Sequence, residues 1–170
     1  PIGATHDKPL WGNSQEAYAR NPVYGQWLSK LFDLWWQLDD PSIFIRLYCE
    51  TVAAMLGGRH HTDMIVNDCL PLFCVNTDGR VEYPDYFRSG YDGSVTTAFN
   101  IQQHSISELE LDPLFSILLR LGKHLPAECN GCSVREVCGG GFLPGRIRQG
   151  RLDPTNRAVH CFDQYEIFTH

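Results

Sequence analysis

The sequence predicts an α+β fold, with a helical segment followed by a domain that contains a β-hairpin, short helices and a cysteine-rich metal-binding loop. Three observations support this class: helical spacing of apolar residues from Tyr24 to Leu38, a hairpin signal at residues 76–79, and four cysteines between Cys129 and Cys161. The chain has 170 residues, 43% of them hydrophobic, which is enough for one sizeable core.

The first third of the chain is predicted to be helical. Asn13–Glu16 has the form of a helix start, an amide cap followed three residues later by a carboxylate. Apolar residues then recur at helical spacing up to Leu38 and predict one amphipathic helix, on which we expect Trp27 and Trp35 to pack into the core. A second apolar segment, from Ile43 to Leu56, is expected to stop at the two glycines that follow it.

The middle of the chain changes from helical to strand periodicity. Leu72–Val75 and Arg80–Tyr83 flank Asn76–Gly79, a turn in which the glycine supplies the left-handed position. We therefore expect a hairpin, followed by a helix that begins with the capping box Ser105–Glu108. Another helix should open at Asp112–Pro113, with proline in its first turn.

Four cysteines form the motif that carries most of the chemistry. The pattern C-x2-C-x5-C-x22-C is made by Cys129, Cys132, Cys138 and Cys161. Four thiolates suit a tetrahedral zinc ion or an iron-sulfur cluster, and backbone amides in such a loop can donate hydrogen bonds to the sulfurs. Three glycines after Cys138 permit positive φ and close approach to a bulky group, which favours a cluster. Zinc and a disulfide framework are the alternatives.

Composition argues against several classes of partner. The chain has 20 acidic and 14 basic residues, for a net charge of −6, which disfavours nucleic acid. No apolar run approaches the ~20 residues that span a bilayer, and the first residues lack the layout of a secretory signal, so we expect a cytoplasmic protein with no membrane partner. In a reducing compartment, seven cysteines indicate metal binding rather than disulfides.

Several other polar or reactive residues have an ordinary structural interpretation. We expect the basic stretch of Arg146, Arg148 and Arg151 to be a solvated loop; the alternative is a patch that balances the charge of an anionic cluster. Cys49 is interpreted as a small buried apolar residue, and His60–His61 as part of a surface loop.

The order of these motifs carries a family resemblance. The hairpin with Asp78–Gly79, the helix start Ser105–Leu109, the loop C-x2-C-x5-C with its glycines and the last cysteine together resemble the SPASM domain of radical SAM peptide maturases. The branch they resemble is the FxsB-type. Upstream, three segments resemble the part that joins the radical SAM barrel to this domain: Tyr24–Leu28, Phe32–Trp35 and Ile45–Tyr48.

The resemblance implies two domains and a ligand set. Residues 1–62 resemble a helical linker from the end of a radical SAM barrel, and residues 63–170 resemble a SPASM-like iron-sulfur domain. The resemblance assigns all four motif cysteines to one auxiliary 4Fe-4S cluster.

The resemblance also implies that a second auxiliary cluster of the wider family is absent here. Phe142 and Pro84–Asp85 stand where two of its cysteines would be. Cys69 and Cys74 fall near its first ligands, but two thiolates do not hold a cube, and we expect both to be small residues packed under the hairpin.

The family's motif for the SAM-cleaving cluster, C-x3-C-x2-C, does not occur in the sequence. The chain alone is therefore not expected to be active, and S-adenosylmethionine would enter only through a missing or separate radical SAM core. The implied function is an electron-transfer and structural or substrate-docking role in the maturation of a ribosomally synthesised precursor peptide, with Tyr86, Phe87 and Tyr91 as candidates for a peptide-binding face. The rival is a zinc-stabilised protein or peptide interaction module without redox chemistry.

Overall fold

The computed structural model describes residues 14–58, 61–62, 65, 72–119 and 125–170. Within these ranges the chain combines short helices with two small antiparallel sheets, which confirms a mixed class of helix and sheet. The α-helices are α1 (Gln15–Arg20), α2 (Val23–Leu38), α3 (Arg46–Met55), α4 (Ile106–Leu109), α5 (Pro113–Leu119), α6 (Arg135–Cys138) and α7 (Cys161–Thr169). The strands are β1 (Cys74–Val75), β2 (Arg80–Glu82), β3 (Thr96–Asn100), β4 (Ile147–Arg148) and β5 (Arg151–Leu152).

The amino-terminal helices begin and end close to the predicted residues. Ser14 caps α1, because its hydroxyl accepts a hydrogen bond from the amide of Ala17 at 3.3 Å. Asn13, the predicted cap, lies outside the described residues. α2 ends where Asp39 adopts a left-handed conformation with φ of 47°, and after α3 the chain reverses at Gly57, whose φ is 76°.

The apolar stripe of α2 is only partly buried. Leu28 is 9% exposed and packs inside, whereas Trp27 is 57% exposed, so the expectation that both stripe tryptophans lie in the core is wrong for Trp27. Leu34 and Trp36 on the same helix are also exposed. α2 is the longest described helix, yet no helix in the described ranges has the length and apolar character needed to cross a bilayer.

The predicted hairpin is present and belongs to a three-stranded sheet. β1 pairs with β2, with Cys74 opposite Glu82, and Gly79 in the turn has a φ of 81°. β2 also pairs with β3, a strand that the sequence analysis did not predict. The side chain of Cys74 is exposed, so the expected packing under the hairpin is wrong for this residue, while Cys69 lies outside the described residues.

One hydrophobic core joins the sheet to the helices that follow it. Its buried members are Val81, Phe87, Val95, Leu109, Phe115, Leu118, Leu143 and Ile147. The capping box of Ser105 and Glu108 that starts α4 is formed as predicted. In addition, α2 packs on α7, where the amide of Gly25 donates to Asp163 Oδ1 at 2.8 Å. The domain boundary at residues 62 and 63 stays a prediction.

Candidate cysteine centre

Three structural elements present the four motif cysteines. Cys129 lies in a short 3-10 helix over Ala127–Gly131, Cys132 follows this turn, and Cys138 is the last residue of α6. Cys161 is the first residue of α7. The six described cysteines are all free thiols, which excludes disulfides among them.

The four thiols line one common pocket. They share it with other side chains, among them Arg135, Arg157, Gln164 and Tyr165. Within the described part of the chain, no three His, Cys, Asp or Glu side chains are arranged to hold a single metal ion. A tetrahedral zinc with Zn–S bonds of about 2.3 Å holds its thiolates about 3.8 Å apart. A four-iron cube binds each thiolate to a different iron and therefore needs a wider set of sulfurs.

The glycine run after Cys138 has the backbone conformation that the sequence predicts. Gly139, Gly140 and Gly141 have φ values of 58°, 84° and 77°, a left-handed region that other residues rarely adopt. Close packing adds a second requirement, since a Cβ on Gly140 would lie 2.0 Å from Nη2 of Arg146. The backbone of Gly140 also hydrogen-bonds the Cys138 thiol and lowers its pKa. The loop therefore points a donor at a sulfur, as expected for a metal-thiolate loop.

Burial dominates the electrostatics of the thiols. It raises the pKa of Cys138 to about 12 and that of Cys161 to about 11, and it also raises the pKa of Cys129. Repulsion among the sulfurs adds to this effect, whereas the charge of Arg146 lowers the pKa of Cys129 and that of Arg157 lowers the pKa of Cys161. These raised pKa values favour the protonated form of Cys129, Cys138 and Cys161, so metal binding to them would release protons.

Arg146 departs from the sequence prediction. Its side chain is 0% exposed, so a solvated loop is wrong at this position, although Arg148 and Arg151 are exposed as expected. The reason is the 3-10 helix Leu143–Arg146, a buried turn that directs the guanidinium into the glycine loop. Arg146 Nε donates to the carbonyl of Gly140 at 3.1 Å.

Two further residues at the pocket were missed by sequence reasoning. Arg157 forms an ion pair with Glu128 at 3.7 Å and stacks over the ring of Phe162. Gln164, one turn into α7, lies with its Oε1 3.8 Å from Cys138 Sγ. No local pattern marks either residue, because both reach the pocket only when the chain returns to it after β5.

An apolar cavity of about 330 Å³ lies beside the cysteine pocket, and Gln164 lines both. The positions where the resemblance puts the lost ligands are close to it, since Asp85 and Phe142 are on its wall. Tyr86 also lines the cavity, whereas Phe87 is 1% exposed and belongs to the core, so its expected place on a peptide-binding face is wrong.

A buried carboxylate contributes to the cavity wall. Asp163 Oδ1 accepts hydrogen bonds from the hydroxyl of Tyr18 and the amide of Gly25, both at 2.8 Å. Its Oδ2 is buried and makes no hydrogen bond in the structure. Burial raises the pKa of Asp163, although the two hydrogen bonds act in the opposite direction.

The sequence was compared with known families and with curated proteins, and a curated relative was found. No protein-family model matches the sequence. The chain is 26% identical over 133 residues to the cysteine-type anaerobic sulfatase-maturating enzyme of Clostridium novyi (strain NT), an alignment that includes 73% of this chain and 33% of that enzyme. The chain thus spans about a third of the length of this relative.

Solved structures share its fold. Native anSMEcpe with bound AdoMet matches 95% of this chain and 44% of its own, with a TM-score of 0.67 and 23% identity. Native anSMEcpe with bound AdoMet and Cp18Cys peptide matches with a TM-score of 0.66 and 23% identity, again over 95% of this chain and 45% of its own. The chain is therefore similar in sequence to a maturase of the radical SAM/SPASM family and shares the fold of part of anSMEcpe.

Proposed function

We propose that this chain is the SPASM portion of a radical SAM peptide maturase and holds one auxiliary 4Fe-4S cluster. The observation that carries the proposal is the common pocket of the four motif cysteines beside a left-handed glycine loop. The proposed ligands are Cys129, Cys132, Cys138 and Cys161. We assign it to the FxsB-type branch because Cys138 is followed by three glycines, Phe142 and then Leu143–Pro144, where the wider family has a second cysteine.

The proposed cluster would have an electron-transfer and a structural role. A cysteine on each iron leaves no open position for substrate, so the group supplies one-electron chemistry rather than direct binding. This chain partly shields Cys138 and Cys161 from water, and the Gly140 amide donates toward a sulfur, two features that tune a reduction potential. The bonds between the four cysteines and the cluster would also hold the 3-10 helix, α6 and α7 together.

The apolar surface of α2 and α3 supports a radical SAM catalytic domain or subunit as partner. On α2, Trp27 is 57% exposed, Leu34 66% and Leu38 59%, and their helical spacing puts them on one side of the helix, while Met55 at the end of α3 is 53% exposed. Clustered large apolar side chains on a soluble protein mark surfaces that another protein covers. We propose that this face packs against the core that would bind S-adenosylmethionine, with residues 1–62 as the linker and 63–170 as the cluster domain.

The cavity supports a substrate-docking role for a precursor peptide. Its wall is mostly apolar, with Tyr86 and Phe142 in ring contact at 6.0 Å, so it suits an apolar side chain. A similar structure holds a peptide together with AdoMet. The proposed setting is ribosomally synthesised peptide maturation in the cytoplasm, where a reduced thiol set is maintained.

Anaerobic reconstitution of the 170-residue chain with iron and sulfide tests the proposal. We expect a brown protein with broad absorption near about 400 nm and roughly four iron and four sulfide per chain. A colourless protein that binds only one zinc under the same conditions would instead support the zinc-stabilised interaction module. A chain that binds neither metal would contradict both functions. Without a radical SAM core, the chain should not cleave S-adenosylmethionine.

A further inference from the structure

Arg146 is a cation enclosed within the cysteine-bearing part of the molecule. Its guanidinium is held by backbone carbonyls: Nε donates to Gly140, Nη2 to Gly139 at 3.1 Å, and Nη1 to Pro154 at 3.2 Å. These contacts fix its position against the glycine loop. The fit is close, because only a residue without Cβ can stand at position 140.

Burying this charge is costly. Burial lowers the pKa of Arg146, yet an arginine in a protein keeps its proton, so the positive charge is retained in the interior. Carbonyl oxygens solvate such a cation in part but carry no net charge to offset it. The cysteines can supply an offsetting negative charge, since Cys129, Cys138 and Cys161 all interact electrostatically with Arg146.

A metal centre on these cysteines would be an anion in the low-dielectric interior. Four thiolates outweigh the positive charge of a 4Fe-4S core, and one-electron reduction makes the centre more negative still. A fixed cation nearby therefore stabilises the reduced state more than the oxidised state and raises the reduction potential. Arg135 and Arg157 line the cysteine pocket itself but are partly exposed, so water screens their charges more strongly.

We propose that Arg146 is the built-in counter-charge of the cysteine centre and sets its reduction potential as a positioning residue. The proposal rests on the proposed function, because it takes the four cysteines as ligands. In this proposal the positive charge of Arg146 acts on the centre, in addition to the hydrogen bonds by which Arg146 clamps the glycine loop. Charge and clamp can be separated, since lysine keeps the charge but lacks the planar fork that reaches several carbonyls at once.

The test compares the reconstituted chain with R146Q, R146K and R148Q by potentiometric titration with dithionite, monitored by electron paramagnetic resonance. We expect R146Q to shift the one-electron reduction equilibrium at least tenfold toward the oxidised cluster, which corresponds to about 59 mV. R146K should keep the wild-type midpoint. R148Q, an exposed arginine two residues further on, is the matched control and should also titrate like the wild type.

Each result separates the two proposals. A wild-type chain that binds no cluster contradicts the proposed function itself. A wild-type cluster whose midpoint is the same in R146Q overturns the role of Arg146 alone. If R146Q does not fold, R146K provides the test. A cluster with the wild-type midpoint in R146K supports the counter-charge. Loss of the cluster in R146K shows that the hydrogen-bonded clamp is what matters and overturns the counter-charge proposal.

Discussion

The cysteine region and the two amino-terminal helices α2 and α3 differ in what they bury. Around the cysteines the protein encloses charged and polar groups, including Arg146 and Asp163, each held by several hydrogen bonds. On α2 and α3 it leaves large apolar side chains in water, such as Leu34 and Met55. Enclosed charge indicates a site that this chain builds for itself, whereas an uncovered apolar face indicates a surface that a partner completes.

The largest effect is expected on metal content, when a cysteine of the cysteine region is replaced and compared with the replacement of a cysteine on α3. Cys132→Ser should lower bound iron at least about tenfold and loosen the segment from Cys129 to Cys161, because metal binding and local folding share one free energy. Cys49→Ser, on α3, should leave iron and sulfide content unchanged. Metal analysis and limited proteolysis of both reconstituted variants make the measurement. Equal metal content in the two variants would show that the ligand set is wrong.

The contact between the two regions can be broken at Gly25. A Cβ at this position would lie 2.8 Å from Cα of Asp163 and 2.9 Å from Cβ of Glu166, so α2 and α7 would have to separate. Gly25→Ala should therefore lower the free energy of unfolding by about 1–3 kcal/mol, measured by urea denaturation. Gly131→Ala is the matched control, since its Cβ meets no atom within 4 Å. Similar losses in both variants would argue against tight α2–α7 packing.

Asp163 gives the enclosed region its own pH dependence. Its pKa is raised in the folded state, so the stability it contributes is complete below the ordinary carboxyl pKa of about 3.9 and is lost as pH rises through the folded value. Asp163→Asn removes this loss. The free energy of unfolding of the variant, relative to that of the wild type, should therefore rise from about pH 3.5 to pH 7 in urea titrations.

A surface carboxylate should show the opposite trend. Hydrogen bonds from Arg80 lower the pKa of Asp78, so its contribution is present above the ordinary pKa and is lost as pH falls. The stability of Asp78→Asn relative to wild type should therefore decrease over the same pH increase. A flat difference for Asp163→Asn would contradict the raised pKa.

The smallest effect on stability is expected on the exposed face of α2. Leu34→Glu should change the free energy of unfolding by no more than about 0.5 kcal/mol, because the side chain is largely in water already. It should nevertheless reduce binding of the dye ANS and self-association of the isolated chain. Leu28→Ala, buried on the same helix, should cost about 2–5 kcal/mol. A large loss of stability in Leu34→Glu would show that the face is packed within this chain.

Features set by neighbouring residues could be predicted from the sequence. The bounds of α2, the turn glycine Gly79 and the capping box of Ser105 and Glu108 each depend on a few adjacent positions. The cysteine spacing likewise predicted a shared pocket, because three of its members lie on one short loop.

Features that depend on distant packing could not be predicted. β3 joins the sheet through pairing with β2, and Arg146 is buried because a later turn folds onto the glycine loop. Asp163 reaches Gly25 across 138 positions of sequence, a relation that no local pattern can encode. The ligand role of the four cysteines stays a prediction.

Gln164 is a shared wall between the cysteine pocket and the apolar cavity. Its Oε1 lies 3.8 Å from Cys138 Sγ, and the same residue forms part of the cavity surface, so Gln164 connects the two spaces through one side chain. Gln164 would thus offer a direct side-chain path between the proposed centre and a molecule held in the cavity.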